Sequence, residues 1–104
     1  MTLDPEDSKI ITLARASRAR NGSAEGAAVR DETGRTYSAT DVALDSLTLS
    51  AVQVAVAMAV ASGAKSLEAV ALVTTGAPSA ADSAVAAELG VTSLLVARPD
   101  GTLV

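Results

Sequence analysis

The sequence predicts one layered α/β domain with a mixed sheet over residues 1–104. Helix-forming and strand-forming segments alternate in the order α-β-β-α-β-α-β, which is typical of layered α/β folds. Leu67–Thr75 has a continuously apolar centre, as expected of a central strand that is covered on both faces. A chain of 104 residues has room for one compact core, and no linker segment divides it.

The N-terminal part of the chain predicts a helix followed by a β-hairpin. An acidic cap and a proline in the first turn indicate a helix over residues 5–20. Two strand segments, residues 25–30 and 35–40, flank a turn that contains glycine, which indicates a hairpin. The turn acids Asp31 and Glu32 are adjacent, like a catalytic carboxylate pair, but we favour their interpretation as solvated turn residues.

The most apolar segment, Leu47–Ser62, predicts a second helix. Valine and alanine alternate along it with the period of a strand, so a strand remains the alternative. The length of the segment and its many alanines favour the helix. Asp45 or Ser46 is the expected cap, and Gly63 is expected to end the helix. A helix that is apolar all round must be covered all round, so we expect a second subunit to cover part of it.

The C-terminal part of the chain predicts a third helix and two more strands. The helix spans residues 78–89, with a proline near its start and Gly90 after its end. Residues 91–97 have the composition of a strand. A polar turn over residues 99–102 follows, and Leu103–Val104 is expected to begin a last short strand.

Composition and charge limit the kinds of partner that this protein is expected to bind. The chain has 49% hydrophobic residues and one aromatic residue, so its core must consist of small aliphatic side chains. Such a core buries little area, and we expect a homo-oligomer, either a dimer or a tetramer. The formal charge of −4 argues against nucleic acid. We expect no membrane contact and a cytoplasmic protein, because no apolar run reaches about 20 residues and no basic signal segment is visible.

Cysteine and histidine are both absent from the sequence. Without cysteine there is no thiol nucleophile and no disulfide bond. Without histidine the chain lacks the most common metal ligand and the most common general base. Enzymes that depend on either residue are therefore excluded.

Four short motifs stand along the chain: Glu25-Gly26-Ala27-Ala28-Val29, Thr33-Gly34-Arg35-Thr36-Tyr37, Asp41-Val42-Ala43-Leu44 and Arg98-Pro99-Asp100-Gly101-Thr102. Together with the order of the elements, they resemble the V-G-A-A-L, D-G-x-x-Y/F, N-V-E-N and K-P-D-G-T motifs of the cytidine deaminase family. The resemblance extends from about Ser8 to Thr102. It implies a three-layer α/β/α fold with a mixed sheet.

The resemblance also implies where the family's zinc site would lie. The family's C-A-E motif falls on Ser50-Ala51-Val52-Gln53, and its P-C-x-x-C motif falls on Pro78-Ser79-Ala80-Ala81-Asp82. The three ligand positions are therefore Ser50, Ser79 and Asp82, and the proton-shuttling glutamate is replaced by Val52. Two hydroxyls and one carboxylate are poor zinc donors. We expect a degenerate member with no zinc, no other cofactor and no catalytic residues.

Three functions remain open from the sequence. We favour a structural or regulatory homo-oligomer without catalysis. The first alternative is a binding module for a nucleoside or another small molecule. Its polar contacts would be Asp41, Ser50, Ser79 and Asp82. Asp41 aligns with a nucleoside-binding asparagine of the family, although a carboxylate at a strand end or turn is the simpler role. The second alternative is a cytidine deaminase with an unorthodox site or one that a partner chain completes.

Overall fold

Helices pack on both faces of a central sheet in the computed structural model, which describes residues 3–104. The main elements follow the predicted order, and a short additional hairpin, β3–β4, precedes the second helix. In chain order the elements are α1 Pro5–Asn21, β1 Gly26–Asp31, β2 Thr36–Thr40, β3 Val42–Ala43, β4 Thr48–Leu49, α2 Ala51–Ala61, β5 Leu67–Val73, α3 Ala80–Glu88 and β6 Leu95–Ala97.

The central sheet is mixed and has the strand order β2-β1-β5-β6. Strand β1 runs antiparallel to both of its neighbours, whereas β5 and β6 are parallel. Parallel neighbours need a crossover connection, and α3 supplies it. This places the start of α3 just beyond the end of β5, close to the start of β1, because Gly26 pairs with Val73.

Each face of the sheet packs against its own helix layer, which confirms the predicted three layers. On one face, Ala28 and Ala71 pack with the isoleucines of α1 in one hydrophobic cluster. On the other face, Val29 and Leu72 pack with α2 and α3 in a second cluster. Residues 69–73 are all buried, as predicted for a strand that is covered on both faces.

Gly26 explains how closely α1 can approach the sheet. A Cβ atom at this position would lie 2.1 Å from the carbonyl oxygen of Ala14 and 2.9 Å from the Cβ of Arg18. No side chain fits in that space, so only glycine allows this contact between helix and strand. The glycine of the first motif is therefore a packing requirement of the fold.

The structure corrects the predicted start of α2. The helix begins at Ala51 and not at Leu47, and its N-cap is Ser50, not Asp45 or Ser46. The reason is that the preceding residues pair in the β3–β4 hairpin, with Val42 opposite Leu49. The prediction of a helix over a strand is confirmed for this segment.

The C-terminal segment is less regular than the sequence predicts. The strand predicted over residues 91–97 is confined to Leu95–Ala97, and α3 starts after Ser79 rather than at Pro78. Leu103 forms a single antiparallel bridge with Ala97 in place of a strand. No helix in the described part of the chain combines the length and hydropathy needed to cross a bilayer.

Candidate functional site

The helices α2 and α3 begin with the same local arrangement. In α2, the Ser50 Oγ accepts a bond from the Gln53 N–H at 3.2 Å, and the Gln53 Oε1 accepts one from the Ser50 N–H at 2.9 Å. In α3, the Ser79 Oγ accepts from the Asp82 N–H at 3.1 Å, and the Asp82 Oδ2 accepts from the Ser79 N–H at 3.2 Å. Both helices therefore start with a reciprocal capping box.

Asp82 connects the two helix starts. The Ser50 hydroxyl donates to the Asp82 Oδ1 at 2.5 Å, a short bond between residues that are 32 positions apart. Asp82 is 1% exposed and Ser50 is half-buried, so the carboxylate end of the contact is shielded from water. The structure thus brings together the three positions at which the resemblance placed zinc ligands: Ser50, Ser79 and Asp82.

Val52 lies inside the core and not in an open site. Its side chain is completely buried and belongs to the cluster between α2 and the sheet. The position aligned with the family's proton shuttle is therefore occupied by an aliphatic side chain that packs against other aliphatic side chains. It has no atom that could carry a proton.

Glu25 is a residue of this region that the sequence analysis missed. It precedes β1, and burial is the main factor that raises its pKa above the ordinary value of 4.5. The backbone N–H of Ala51 at the start of α2 lowers the pKa in part, and the negative charges of Asp82 and Asp41 raise it. One signal in the sequence could have identified Glu25: an acid occupies the first position of the V-G-A-A-L motif, where the family has valine.

Asp41 lies between β2 and β3 and is half-buried. Its Oδ1 accepts a bond from the Glu25 N–H at 3.3 Å, so one oxygen already holds the start of β1. This contact gives the carboxylate a structural role at a strand end. Its role as a substrate contact stays a prediction.

The residues at the aligned ligand positions do not fit a zinc ion. Zinc prefers thiolate and imidazole ligands, and the donors here are two hydroxyls and one carboxylate. All three already have hydrogen-bond partners, since the Ser50 hydroxyl bonds to the Asp82 carboxylate and the Ser79 hydroxyl accepts from the Asp82 N–H. Within residues 3–104, no three acidic side chains lie close enough together to hold a metal. The one buried side-chain nitrogen or oxygen of this range without a partner is Nη1 of Arg30, which is outside the site.

The sequence matches the family described as cytidine deaminase-like over residues 3–101. The chain belongs to the cytidine deaminase-like family. The match confirms the family and the three-layer fold that the motifs predicted. The matched residues contain the helices and strands given above. No curated protein matches the sequence.

Solved structures of cytidine deaminases have the same fold as this family member. The enzyme from Burkholderia pseudomallei is 27% identical, with a TM-score of 0.76 over 92% of this chain and 87% of the other. The enzyme from Mycobacterium tuberculosis is 25% identical, with a TM-score of 0.74 over 96% of this chain and 89% of the other. The enzyme from Mycobacterium leprae, at 23% identity and a TM-score of 0.73 over 94% and 92% of the two chains, is similar in fold alone.

Proposed function

We propose that this chain is a non-catalytic member of the cytidine deaminase-like family and acts as a self-associating structural or regulatory domain. The observation that carries the proposal is the closed network of Ser50, Ser79 and Asp82 at the aligned ligand positions. Hydrolytic deamination requires an activated water and a group that moves protons. The network holds neither of the donors that zinc prefers, thiolate or imidazole, and Val52 cannot transfer a proton.

Burial raises the pKa of Glu25, and raised carboxyl pKa values are common at functional sites. A general base must also lie within hydrogen-bond reach of a bound substrate. No pocket opens beside Glu25 within residues 3–104 of one chain. A nucleoside site beside Glu25 would therefore need walls from a second chain, and the turnover assay described below distinguishes such a site from the non-catalytic assignment.

Self-association is supported by the apolar outer surface of α2 and the neighbouring hairpin. Val60 on α2 is 48% exposed, and Leu44 on the β3–β4 hairpin is 60% exposed. No charged residue lies between Asp45 and Lys65. Uncharged surface with large apolar side chains is typical of protein interfaces. A second copy of the chain would cover it without bringing like charges together.

Catalysis is tested by assaying cytidine turnover on protein purified without chelator, with metal analysis of the same sample. We expect no turnover above the uncatalysed rate and no stoichiometric zinc. Turnover accompanied by stoichiometric zinc would overturn the non-catalytic assignment. Calorimetric titration with cytidine and uridine tests the binding module, and we expect no heat of binding.

Self-association is tested by light scattering at micromolar concentration. We expect a dimer or tetramer, and Val60→Lys should lower the mass by placing a charge on the outer face of α2. Ala16→Lys is the matched control, because Ala16 is exposed on α1 across the sheet and should leave the mass unchanged. A monodisperse monomer of the unmodified chain would contradict the proposal.

A further inference from the structure

We infer that Asp82 is a buried clasp that holds the N-termini of α2 and α3 together without a metal ion. The inference rests on the proposed function only in that no metal occupies this place. It concerns how the two helices are joined. Its test is a melting experiment, whose result is independent of cytidine turnover.

The two oxygens of Asp82 serve different helices. Oδ1 accepts the hydroxyl of Ser50, which is the cap of α2, at 2.5 Å. Oδ2 accepts the backbone N–H of Ser79, which is the cap of α3, at 3.2 Å. One carboxylate therefore fixes the distance between two helix starts, and each of its oxygens has a donor.

The surroundings of Asp82 indicate what stabilises its charge. Asp82 is almost completely buried, yet both salt bridges among the described residues involve Arg30 and none involves Asp82. A buried carboxylate without a cation needs strong hydrogen bonds and favourable dipoles. Two helix N-termini, each with partial positive charge, meet at this point.

The first turn of α2 lacks an acid of its own. Negative charge near a helix N-terminus is stabilising. Asp82 supplies that charge to α2 from the neighbouring helix while it also caps α3. The clasp therefore stabilises both helices only when they are docked against each other.

The bond between Ser50 and Asp82 is important because few residues of α3 are buried. Of the nine residues of α3, Asp82 and Ala86 are buried. Ala86 is a small side chain that buries little area, and Val85 and the C-cap Leu89 pack against the core only partly buried. With this limited apolar contact, α3 depends on the bond that Ser50 donates to Asp82 for its position on α2.

The sharpest test compares Ser50→Gly with Ser79→Gly by thermal unfolding of the full chain. Glycine is an acceptable N-cap, so loss of the capping bond of either serine, taken apart from any other bond that the serine makes, should lower Tm by only about 1–3 °C. Ser79→Gly should show that small change, since it leaves the Ser50–Asp82 bond intact. Ser50→Gly removes the bond to a buried charge and should lower Tm by about 8 °C or more. Equal changes for the two variants would overturn the clasp.

A double-mutant cycle provides the second measurement. Asp82→Asn keeps the shape of the side chain but removes its charge and one of its acceptors. If the clasp is correct, combining it with Ser50→Gly lowers Tm by clearly less than the sum of the single changes. Additive changes would contradict it. If Ser50→Gly or Asp82→Asn has no cooperative unfolding transition while Ser79→Gly does, that result also supports the clasp.

Metal dependence is measured on the same samples. With either added zinc chloride or added EDTA, we expect the Tm of the unmodified chain to stay the same within error. A zinc-dependent rise in Tm that Asp82→Asn abolishes would show that a metal, and not the hydrogen bond, joins the helices. That outcome would overturn the clasp even if no cytidine were turned over.

Discussion

The helices α2 and α3 start with the same motif, a serine cap and a polar residue three positions later, but they are held in the fold by different means. In α2 the partner of the cap is Gln53, whose side chain bonds only within its own turn. The helix rests on the sheet through five buried residues. In α3 the partner is Asp82, which is itself buried and bonds to the other helix. A capping motif thus identifies a helix start, but the same motif can be either a local contact or a tertiary one.

The largest expected effect comes from a charge on the buried face of α2. Val52→Glu places a carboxylate in a fully buried aliphatic cluster, and we expect a loss of about 3 kcal/mol or more in the free energy of unfolding at pH 8. Urea unfolding measures it. Val52→Gln is the uncharged control. The gap between the two variants should narrow at low pH, because protonation removes the buried charge. Equal stability of both variants at pH 8 would show that this face of α2 is open to water.

The next largest effect on stability is expected at Asp82, in the capping box of α3. Asp82→Ala leaves the Ser50 hydroxyl and the Ser79 N–H without their acceptor, and it removes a favourable charge from two helix N-termini. We expect a loss of about 2–4 kcal/mol in the free energy of unfolding. Urea unfolding under the same conditions measures it. A loss below that of an ordinary cap residue, about 1 kcal/mol, would mean that Asp82 acts only within its own helix.

A smaller effect is expected at the matching position of α2. Gln53→Ala removes the local bond to the Ser50 N–H but leaves the bond between Ser50 and Asp82 in place. Alanine is also a better helix former than glutamine, which offsets part of the loss. We expect a change of at most about 0.5–1 kcal/mol in the free energy of unfolding. If this variant lost as much stability as Asp82→Ala, the contrast between the two helices would be wrong.

The smallest effect concerns the pH dependence of stability near the start of α2. The pKa of Glu25 is raised, so the folded chain holds this proton more tightly than the unfolded chain does. Stability should therefore decrease as the pH rises from about 4.5 through the raised pKa, and then level off. Glu25→Gln should remove this decrease. Urea unfolding at a series of pH values from 4 to 8 measures it.

Asp31, at the other end of β1, provides a control, because its pKa is shifted in the opposite direction to that of Glu25. Its pKa is lowered mainly because the Thr33 hydroxyl donates to its carboxylate, with the backbone N–H groups of Thr33 and Arg35 adding to the effect. A lowered pKa stabilises the fold above the unfolded value of 3.8, and this contribution is lost as the pH falls through the folded pKa. Asp31→Asn should therefore change stability at neutral pH but not under strongly acidic conditions. A change of the same sign in both variants would show that at least one of the two acids does not act through its own pKa.

Much of the fold could be predicted because it depends on local patterns. The continuous apolar run at the centre of β5 and the serine before α3 are short-range signals. The β3–β4 hairpin was missed, since its two-residue strands carry too little pattern. The turn acid Asp31 was correctly assigned to a turn, but it is buried and not solvated, because it accepts three bonds from the turn it closes.

The chemistry and the residues of the candidate site could be predicted, but the hydrogen bonds within it could not. Alignment of short motifs located Ser50, Ser79 and Asp82, and these positions do meet. The bond between Ser50 and Asp82 was not predictable, because it joins residues that come together only after both helices dock. Glu25 was missed for the same reason, since its raised pKa comes from burial and from charges on other elements.

The sequence by itself determined which chemistry is absent: a chain without thiol or imidazole groups offers none of the ligands that zinc prefers. It also located α1 and α3 to within two residues at each end, because helix starts and stops follow from residue type. Only the tertiary structure decided that Asp82 bonds across to α2 while Gln53 does not. The reason is that a capping bond spans three residues of one helix, whereas the Ser50–Asp82 bond spans 32 residues and forms only when the helices pack side by side.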